Sequence, residues 1–420
     1  MLTFDGAKRL RQFGSTAYPF RIHEINPRIR HVVGLGHSNA TVIEGDTSLI
    51  LIDTLDSDAR AKRMIGLLQG WSKKPVKTII FTHGHPDHRG GSGAFRNTVQ
   101  EIIAFAPPEP SMEHYDKIQS ILLRRGIRQF GYELTDEECL TQGLGIREGH
   151  ACGDGSYDFL APTTIYHEEM VERTIDGVKI CMAAAPGEND DEIFIWLPDD
   201  RVMCCGDNYY GCWPNLYAIR GGQYRDVARW IQSLKKIKSY PSQALLAGHT
   251  NPIFGTEHVA FVLEHYTNAI ESVLTQTLEC IQMGMSESQT VEAVRLSKEE
   301  QALPFLGEFY GTVQWSVRSI YQGYLGWFDG NPTNLNRLSD RVYAKELLTL
   351  IGADRALKRV QEALSSGEYQ LALQLSDLLI DGGHFIDDAK QCKKAALLKI
   401  AELETSANGR HYYLTCAKEI

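Results

Sequence analysis

The sequence has no apolar run that approaches a membrane span, which needs about 20 residues. The N-terminal stretch from Met1 to Gly6 lacks the charged-then-apolar order of a secretory leader. No long basic stripe occurs and the formal net charge is −10, which argues against nucleic acid as a partner. These absences predict a cytoplasmic protein without a transmembrane segment, or a periplasmic or secreted one if a leader was removed before residue 1.

Paired cysteine spacing is also absent. The nine cysteines are odd in number and scattered along the chain. This pattern predicts free thiols in a reducing compartment and not a disulfide framework. Cys204 and Cys205 are adjacent in a predicted strand, where neighbouring side chains face opposite ways, so we do not expect a redox pair there.

The sequence does contain enough apolar residues for a full core. Its 420 residues are 43% hydrophobic, which is sufficient for one large domain or two ordinary ones. If the substrate is an anion, the attracting field must be local, because the chain as a whole is acidic. Metal ions and one or two placed arginines are the expected source of that field.

One short stretch carries most of the chemistry. His83, His85, Asp87 and His88 lie within six residues, directly after the predicted buried strand Val76–Phe81. His83 and His85 are two residues apart in an extended loop, so both can contact one metal ion. Asp87 and His88 project toward a second position. Imidazole plus carboxylate suits zinc and its borderline neighbours, and leaves room for a bound water.

The segment before this loop is predicted to form a β-hairpin and a helix. Two β-rich runs, Ala40–Glu44 and Ser48–Asp53, flank the turn signal Gly45-Asp46. Residues 57–70 follow with helical periodicity. Asp53 ends the second run, where its carboxylate either accepts hydrogen bonds from the metal loop or caps the next helix. The sequence leaves both roles open.

Three later strand ends carry further candidate ligands. The predicted strand Val178–Ala184 enters a Pro-Gly turn followed by acids, where the next metal ligand is expected. Asp207 follows the predicted strand Val202–Cys205, a natural position for a carboxylate that bridges two metal ions. His249 follows the last short predicted strand, Ala244–Ala247.

The other predicted elements of this part are less directly connected with the site. We expect strands at Glu101–Phe105, Thr163–His167 and Ile193–Leu197, and helices around Met112–Arg125 and 224–238. Three histidines without ligand spacing are expected to be structural or exposed, namely His114, His150 and His167.

From about Thr256 the chain is predicted to be helical. Apolar residues recur with helical periodicity over 257–282, 308–324, 339–365 and 368–402, and only Leu325–Pro332 interrupts the pattern strongly. Residues 353–380 resemble a single tetratricopeptide-like hairpin. One such hairpin cannot bury its own apolar face, so a helical bundle or a partner contact is expected and not a repeat array.

Together these motifs resemble the alkyl sulfatase branch of the metallo-β-lactamase superfamily. The resemblance implies an α/β fold, the αββα metallo-β-lactamase sandwich, over residues 1–255, followed by an all-α helical dimerisation domain over 256–420. It covers nearly the whole sequence and rests on Ser38-Asn39-Ala40-Thr41 with Glu44-Gly45-Asp46, the His83–His88 loop, Pro186-Gly187-Glu188, Asn215-Leu216-Tyr217 with Arg220-Gly221, Tyr324 with Gly326–Pro332, and Asn408–Thr415.

The resemblance also implies a site with two zinc ions, or with iron or manganese in their place. One ion would be held by His83, His85 and Glu188, and the other by Asp87, His88 and His249. Asp207 and a hydroxide would lie between them, so Asp87 and Asp207 are the implied catalytic carboxylates. Glu188 is preferred as ligand because it directly follows the Pro-Gly pair, and Glu192, four residues further on, is the alternative.

For the substrate, the resemblance implies a small-molecule alkyl sulfate ester that is hydrolysed to an alcohol and inorganic sulfate. Asn215 and Arg220 would hold the sulfate, and Tyr217 either helps them or packs. A guanidinium suits this role because its planar fork binds an oxyanion at two points. The helical domain implies a homodimer. The residues do not indicate whether water attacks carbon or sulfur.

The sequence departs from the family pattern at three places. Asp207 stands where the family usually has a glutamate, residues 208–214 contain no histidine, and no C-terminal sterol-carrier-like domain follows. The second hypothesis is therefore a metal-dependent hydrolase of a lactone, thioester or phosphoester. A non-catalytic dimeric scaffold with a vestigial metal site and a flavodiiron-type redox protein are further alternatives.

Overall fold

In the computed structural model, which describes residues 4–106 and 114–420, two β-sheets pack face to face with helices on both outer faces. A wholly helical part follows. This arrangement confirms the predicted αββα sandwich and the helical half. For the helix expected around Met112–Arg125, Met112 lies outside the described residues; the described part is a 3-10 turn, Tyr115–Ile118, followed by an α-helix, Gln119–Phe130.

The first sheet has seven strands in sequence order. Strands β1 to β4 form an antiparallel meander, whereas β4 to β7 pair in parallel. The first two strands were not predicted, and the Ala40–Glu44 strand was predicted with its observed bounds. The strands are β1 (Arg21–Asn26), β2 (Ile29–Val33), β3 (Ala40–Glu44), β4 (Leu49–Ile52), β5 (Val76–Ile80), β6 (Glu101–Phe105) and β7 (Thr164–Tyr166).

The second sheet has six strands in reverse order, from β13 to β8. All pairs are antiparallel except β11 and β12, which are parallel. Strands β9, β11 and β12 therefore point the same way and end at one edge of the sheet. The strands are β8 (Met170–Ile175), β9 (Val178–Ala184), β10 (Ile193–Leu197), β11 (Val202–Cys204), β12 (Ala244–Leu246) and β13 (Ile253–Phe254).

The alternating direction of side chains along the strands places apolar residues on both faces of the first sheet. Ile50 of β4 packs between the sheets with Ile195 of β10. Its neighbour Leu51 faces outward and packs with Met64 of the covering helix α2 (Asp58–Leu68). Successive side chains on a strand point to opposite faces, so one fully apolar strand contributes to two core layers.

The remaining helices of the first part cover these sheets and form the connections. Helix α7 packs on the second sheet, where Trp230 and Leu234 lie against Phe194. The helices are α1 (Gly6–Ala17), α2, α3 (Pro86–Arg89), α4 (Gln119–Phe130), α5 (Asp136–Cys139), α6 (Gly149–Cys152) and α7 (Val227–Lys238).

The helical part begins at Thr256, directly after the last strand, and its first helix packs on α7. It contains more breaks than the sequence predicts, because positive-φ glycines at Gly352 and Gly383 separate helices that were expected to be continuous. The helices are α8 (Thr256–Gln282), α9 (Glu287–Ala293), α10 (Lys298–Gln301), α11 (Val313–Leu325), α12 (Asp340–Ile351), α13 (Ala353–Ser366), α14 (Tyr369–Gly382), α15 (Ile386–Leu403) and α16 (Ala407–Glu419).

Further contacts join the halves beyond this junction, among them two helix pairs. Helix α1, which was not predicted, packs on α15 near Glu404, and α16 packs on α4. The imidazole of His411 on α16 lies between the carbonyls of Gln129 and Cys139, at 3.1 and 2.9 Å.

The nine cysteines, all within the described ranges, are free thiols. No helix among the described residues is sufficiently long and apolar to cross a membrane.

Candidate metal centre

The candidate ligands lie where strands of the two sheets end at one edge of the sandwich. Strand β5 leads into the loop that carries His83, and β9 leads into the turn that carries Glu188. Strands β11 and β12 end just before Asp207 and His249. Because these strands end together, side chains far apart in the sequence meet in one place.

Four side chains form the first group of potential ligands: His83, His85, Glu188 and Asp207. His83 Nε2 lies 3.0 Å from His85 Nδ1 and 3.8 Å from Asp207 Oδ2. His85 Nδ1 lies 3.9 Å from Glu188 Oε2. All four belong to the predicted ligand set, and the structure brings them together as predicted.

The second group centres on His88, Asp207 and His249. Asp207 lies with Oδ1 3.3 Å from His88 Nε2 and with Oδ2 3.2 Å from His249 Nε2. Asp87 Oδ2 lies 3.3 Å from His88 Nε2 and 3.5 Å from His249 Nε2. Ligand atoms around a tetrahedral zinc with bonds of about 2.0–2.1 Å are about 3.3 Å apart, so the observed separations match such a site.

Asp207 belongs to both groups, which is the arrangement that a bridging carboxylate requires. His88 Nε2 and Asp207 Oδ1 are buried and have no hydrogen-bond partner among the described residues. Such atoms are costly unless something binds them. A Cβ on Gly248 would lie 2.2 Å from Asp207 Oδ1, so only glycine leaves space at this point. The residues present therefore fit divalent metal ions.

Asp53 orients the His83–His88 loop through hydrogen bonds to Thr82 and His88. Its Oδ2 lies 2.8 Å from His88 Nδ1, and its two oxygens accept hydrogen bonds from the backbone N–H and the hydroxyl of Thr82. Thr82 Oγ1 also lies 3.0 Å from His83 Nδ1. Of the two roles left open for Asp53, the hydrogen-bonding role is the one observed, and Ser57 caps α2 instead. These contacts leave Nε2 of His83 and His88 available for a metal ion.

Glu192 is not a member of these groups but fixes two residues that are. It is fully buried, with Oε2 accepting from the Glu188 backbone N–H at 2.9 Å. Its Oε1 accepts from the Asp207 backbone N–H at 2.6 Å. Burial, with Asp207 and Glu188 nearby, raises the pKa of Glu192 well above its usual value. The sequence placed Glu192 only as an alternative ligand, because its spacing does not show this bridge.

Opposing effects determine the pKa values of Asp207 and His88. Burial acts to raise the pKa of Asp207, but the His249 and His88 imidazoles outweigh it and hold that pKa well below its usual range. Burial acts to lower the pKa of His88, but Asp207, Asp87 and Asp53 hold it well above the usual value. A positively charged ion is the natural partner for this concentration of carboxylates.

Of the predicted substrate-binding residues, Asn215 and Arg220 line the same cavity as the ligands, whereas Tyr217 is not among its lining residues. The cavity encloses about 210 Å³. The backbone N–H of Arg220 donates to Gln129 Oε1 at 2.7 Å. No carboxylate among the described residues lies within ion-pair distance of its guanidinium, so Arg220 is available to an anion.

Two further residues of the site were missed by the sequence interpretation. Arg225 donates from Nη1 to Glu188 Oε1 at 2.6 Å and to the Asn215 carbonyl. His37 lines the cavity and lies with Asp87 and His249 in a third group of potential ligands. Arg225 lies five residues after Arg220, and His37 directly precedes the Ser38 motif, but neither spacing alone indicates a role.

The three histidines expected outside the site are outside it. His114 and His167 are exposed. His150 is half-buried between the rings of Tyr132 and Tyr157, at centroid distances of 4.5 and 4.6 Å.

Two family models match the chain. The metallo-beta-lactamase superfamily model matches residues 33–167, and the alkyl sulfatase dimerisation model matches residues 286–420. A linear primary-alkylsulfatase of Pseudomonas sp. (strain ATCC 19151) is 32% identical over 90% of this chain and 73% of its own. The alkyl/aryl-sulfatase BDS1 of Saccharomyces cerevisiae (strain ATCC 204508 / S288c) is 32% identical over 95% of this chain and 64% of its own.

A solved structure agrees with these matches. The stereoselective inverting sec-alkylsulfatase Pisa1 from Pseudomonas sp. superposes with a TM-score of 0.88 at 26% identity, over 99% of this chain and 67% of its own. The chain thus spans about two thirds of the length of several relatives that it matches over nearly its whole extent.

Proposed function

The chain belongs to the alkylsulfatase family of the metallo-β-lactamase superfamily, and we propose that it hydrolyses alkyl sulfate esters to an alcohol and inorganic sulfate. One observation carries this proposal. The cavity that contains the metal-ligand edge also contains an unpaired guanidinium, Arg220, and the amide of Asn215. A metal site beside a free arginine is suited to an anionic ester.

We infer that two zinc ions occupy the site. His83, His85 and Glu188 would hold one ion, and Asp87, His88 and His249 the other, with Asp207 shared. Metal ions bound there would supply Lewis acidity and lower the pKa of a coordinated water toward neutrality. The mixture of imidazole and carboxylate donors favours zinc, and iron or manganese remain compatible with the same donors.

The chain's own side chains would bind and orient the sulfate. The Arg220 guanidinium can donate two parallel hydrogen bonds to sulfate oxygens and keeps its charge at all ordinary pH values. The Asn215 amide adds a neutral hydrogen-bond donor or acceptor in the same cavity. Because the net charge of the whole chain is −10, attraction of the anion depends on these local groups and on the metal ions.

Asp87 and Asp207 are the carboxylates placed to act on the attacking water. Both line the cavity and lie within 3.5 Å of the imidazoles of His88 and His249. They would hold the water's hydrogen atoms and orient its lone pair toward the ester. The buried Tyr310 side chain lines the same cavity, and its hydroxyl would donate a hydrogen bond to the leaving-group oxygen.

We further propose that the protein is a homodimer through its helical part. Apolar side chains are concentrated between α11 and the end of α12 and are unusually open to solvent, with Trp327 76% and Leu350 81% exposed. Patches of this kind usually mark an interface. Light scattering at micromolar concentration should give a dimer mass. Leu350→Glu should lower that mass, whereas Leu123→Glu on the remote α4 should not.

Sulfate release is the experiment that tests the main proposal. Zinc-loaded protein should release sulfate from short primary or secondary alkyl sulfates. His85→Ala should abolish the activity together with metal binding, whereas Arg220→Ala should retain metal but raise KM for the sulfate ester. Turnover of a lactone, thioester or phosphoester without any sulfate release would contradict the proposal and favour the other hydrolase reactions.

A further inference from the structure

The cavity that contains the candidate metal ligands also contains a buried carboxyl group that the proposed reaction does not use. Glu148 lines the cavity and is only 3% exposed. Its Oε1 accepts a hydrogen bond from the Tyr132 hydroxyl at 2.8 Å, and its Oε2 accepts one from the Tyr157 hydroxyl. Both tyrosines line the cavity as well.

Several contacts hold this carboxyl in place. The Glu148 backbone N–H donates to Gln142 Oε1 at 2.9 Å. The next N–H, of Gly149, donates to Asp56 Oδ2 at 2.6 Å, and Asp56 forms a buried ion pair with Arg60 at 3.0 Å. Asp56 Oδ1 also accepts from the His37 backbone N–H at 2.8 Å. The same buried ion pair therefore holds the Glu148 loop next to the His37 loop.

The Glu148 carboxyl has no countercharge. No lysine or arginine among the described residues lies within ion-pair distance, and the nearest imidazole nitrogen is His150 Nδ1 at 3.5 Å. Burial lowers the pKa of His150, so this ring is neutral at ordinary pH. Burial, with Asp87 and Asp56 nearby, raises the pKa of Glu148 to about 8. A buried, uncompensated carboxyl in a cleft is unfavourable for folding and is typical of a functional site.

The hydrogen-bonding capacity of this group is not exhausted. A carboxylate has about four acceptor positions, and the two tyrosines occupy two of them. The remaining positions can accept from a donor inside the cavity. Aromatic rings surround this group, since Phe130, which also lines the cavity, stacks on Tyr132 at a centroid distance of 5.4 Å. A carboxylate with aromatic neighbours suits an ammonium group especially well.

We propose that Glu148, with Tyr132 and Tyr157, forms a subsite for a hydrogen-bond-donating group on the alcohol part of the sulfate ester. This inference rests on the proposed function. The preferred substrates are then short sulfate monoesters of amino alcohols or diols. The cavity volume of about 210 Å³ supports a short substrate, because ligand pockets usually measure about 300–1,000 Å³.

A plain alkyl chain would cover the free acceptor positions without replacing their hydrogen bonds to water. Leaving a buried acceptor unpaired typically reduces binding by roughly 10- to 100-fold. We therefore expect kcat/KM for a donor-bearing ester to exceed that for an isosteric plain ester by this factor. The difference should be largest for an ammonium group, because its positive charge favours the ionised form of Glu148 and then pairs with it.

Three esters of nearly equal size test this inference on the zinc-loaded protein: 2-aminoethyl sulfate, 2-hydroxyethyl sulfate and propyl sulfate. The unmodified protein should release sulfate from the first two roughly 10- to 100-fold more efficiently than from the third. Glu148→Gln should lose the preference for the amine but keep some preference for the hydroxyl, because the amide oxygen still accepts. Glu133→Gln, on the exposed surface of the same segment, should change neither preference.

The outcomes separate this inference from the proposed function. Release of sulfate from propyl sulfate at least as efficiently as from the other two esters would overturn the subsite and leave the alkylsulfatase proposal standing. The comparison of the three esters needs no variant, so a misfolded Glu148→Gln protein does not prevent it. Absence of sulfate release from all three esters and from longer alkyl sulfates would overturn the proposed function itself.

Discussion

Arg225 and Glu188 form an ion pair of 2.6 Å at the metal centre, and both side chains are at least 90% buried. Burial acts to raise the pKa of Glu188, and the guanidinium of Arg225 acts to lower it. The arginine therefore keeps a candidate metal ligand closer to its charged form. It also donates to the Asn215 carbonyl, so one side chain connects this candidate ligand with the loop that carries Asn215.

Removal of this arginine should weaken metal binding. In Arg225→Met the buried Glu188 loses its countercharge, and outer-shell losses of this kind typically cost about 10- to 100-fold in metal affinity. Zinc content after dialysis against buffers of defined free zinc measures the effect. The control is Arg229→Met, because Arg229 is a nearby half-exposed arginine that contacts only Asp190, at 3.7 Å. Equal zinc affinity in the two variants would contradict this role of Arg225.

Glu192 should behave as a structural connector and not as a ligand. An amide at this position can accept from only one of the two backbone N–H groups of Glu188 and Asp207. The other N–H is left buried and unpaired, which costs about 1–3 kcal/mol. Glu192→Gln should therefore lower the free energy of unfolding measured in urea without added metal. Glu133→Gln, at an exposed carboxylate, is the matched control and should leave this free energy nearly unchanged.

The meeting of the candidate ligands at one edge could be predicted from the sequence because each follows a recognisable strand, as His83 follows Val76–Phe81 and His249 follows Ala244–Ala247. Their outer partners could not be predicted, because contacts such as Arg225 with Glu188 depend on how separate loops fold against one another. The same limit applies to Glu148, whose burial comes from residues on three other segments. Helix breaks were missed where a single glycine, such as Gly352, adopts a positive φ.

Gly248 should be irreplaceable even by alanine. The added Cβ would meet Asp207 Oδ1 at 2.2 Å and His88 Cε1 at 2.8 Å, and real Cβ atoms essentially never approach so closely. Gly248→Ala must therefore displace the shared carboxylate, and we expect zinc affinity to fall at least about 10-fold. For Gly222→Ala, no described atom lies within 4 Å of the added Cβ, which makes it the control. Full zinc content in Gly248→Ala at low free zinc would refute this prediction.

The pH dependence of stability should reveal the buried carboxyl group of Glu148. Its pKa in the folded protein is about 8, against an ordinary value of 4.5. Between these values the folded state binds more protons than the unfolded state, so this group destabilises the fold progressively as pH rises from 4.5 to 8. The titratable groups around it are the Tyr132 and Tyr157 hydroxyls, the His150 ring and the Asp87 and Asp56 carboxylates.

Glu148→Gln removes this titration and should therefore gain stability relative to the unmodified protein as pH rises. At about 1.4 kcal/mol per pKa unit, the relative gain between pH 5.5 and 8.5 should reach roughly 2–4 kcal/mol. Urea unfolding without added metal at the two pH values measures it, and the difference between the proteins cancels the contribution of all other titrating groups. Glu133→Gln, which alters an exposed carboxylate, should show no such trend. A pH-independent difference for Glu148→Gln would mean that Glu148 is already ionised well below pH 8 in the folded protein.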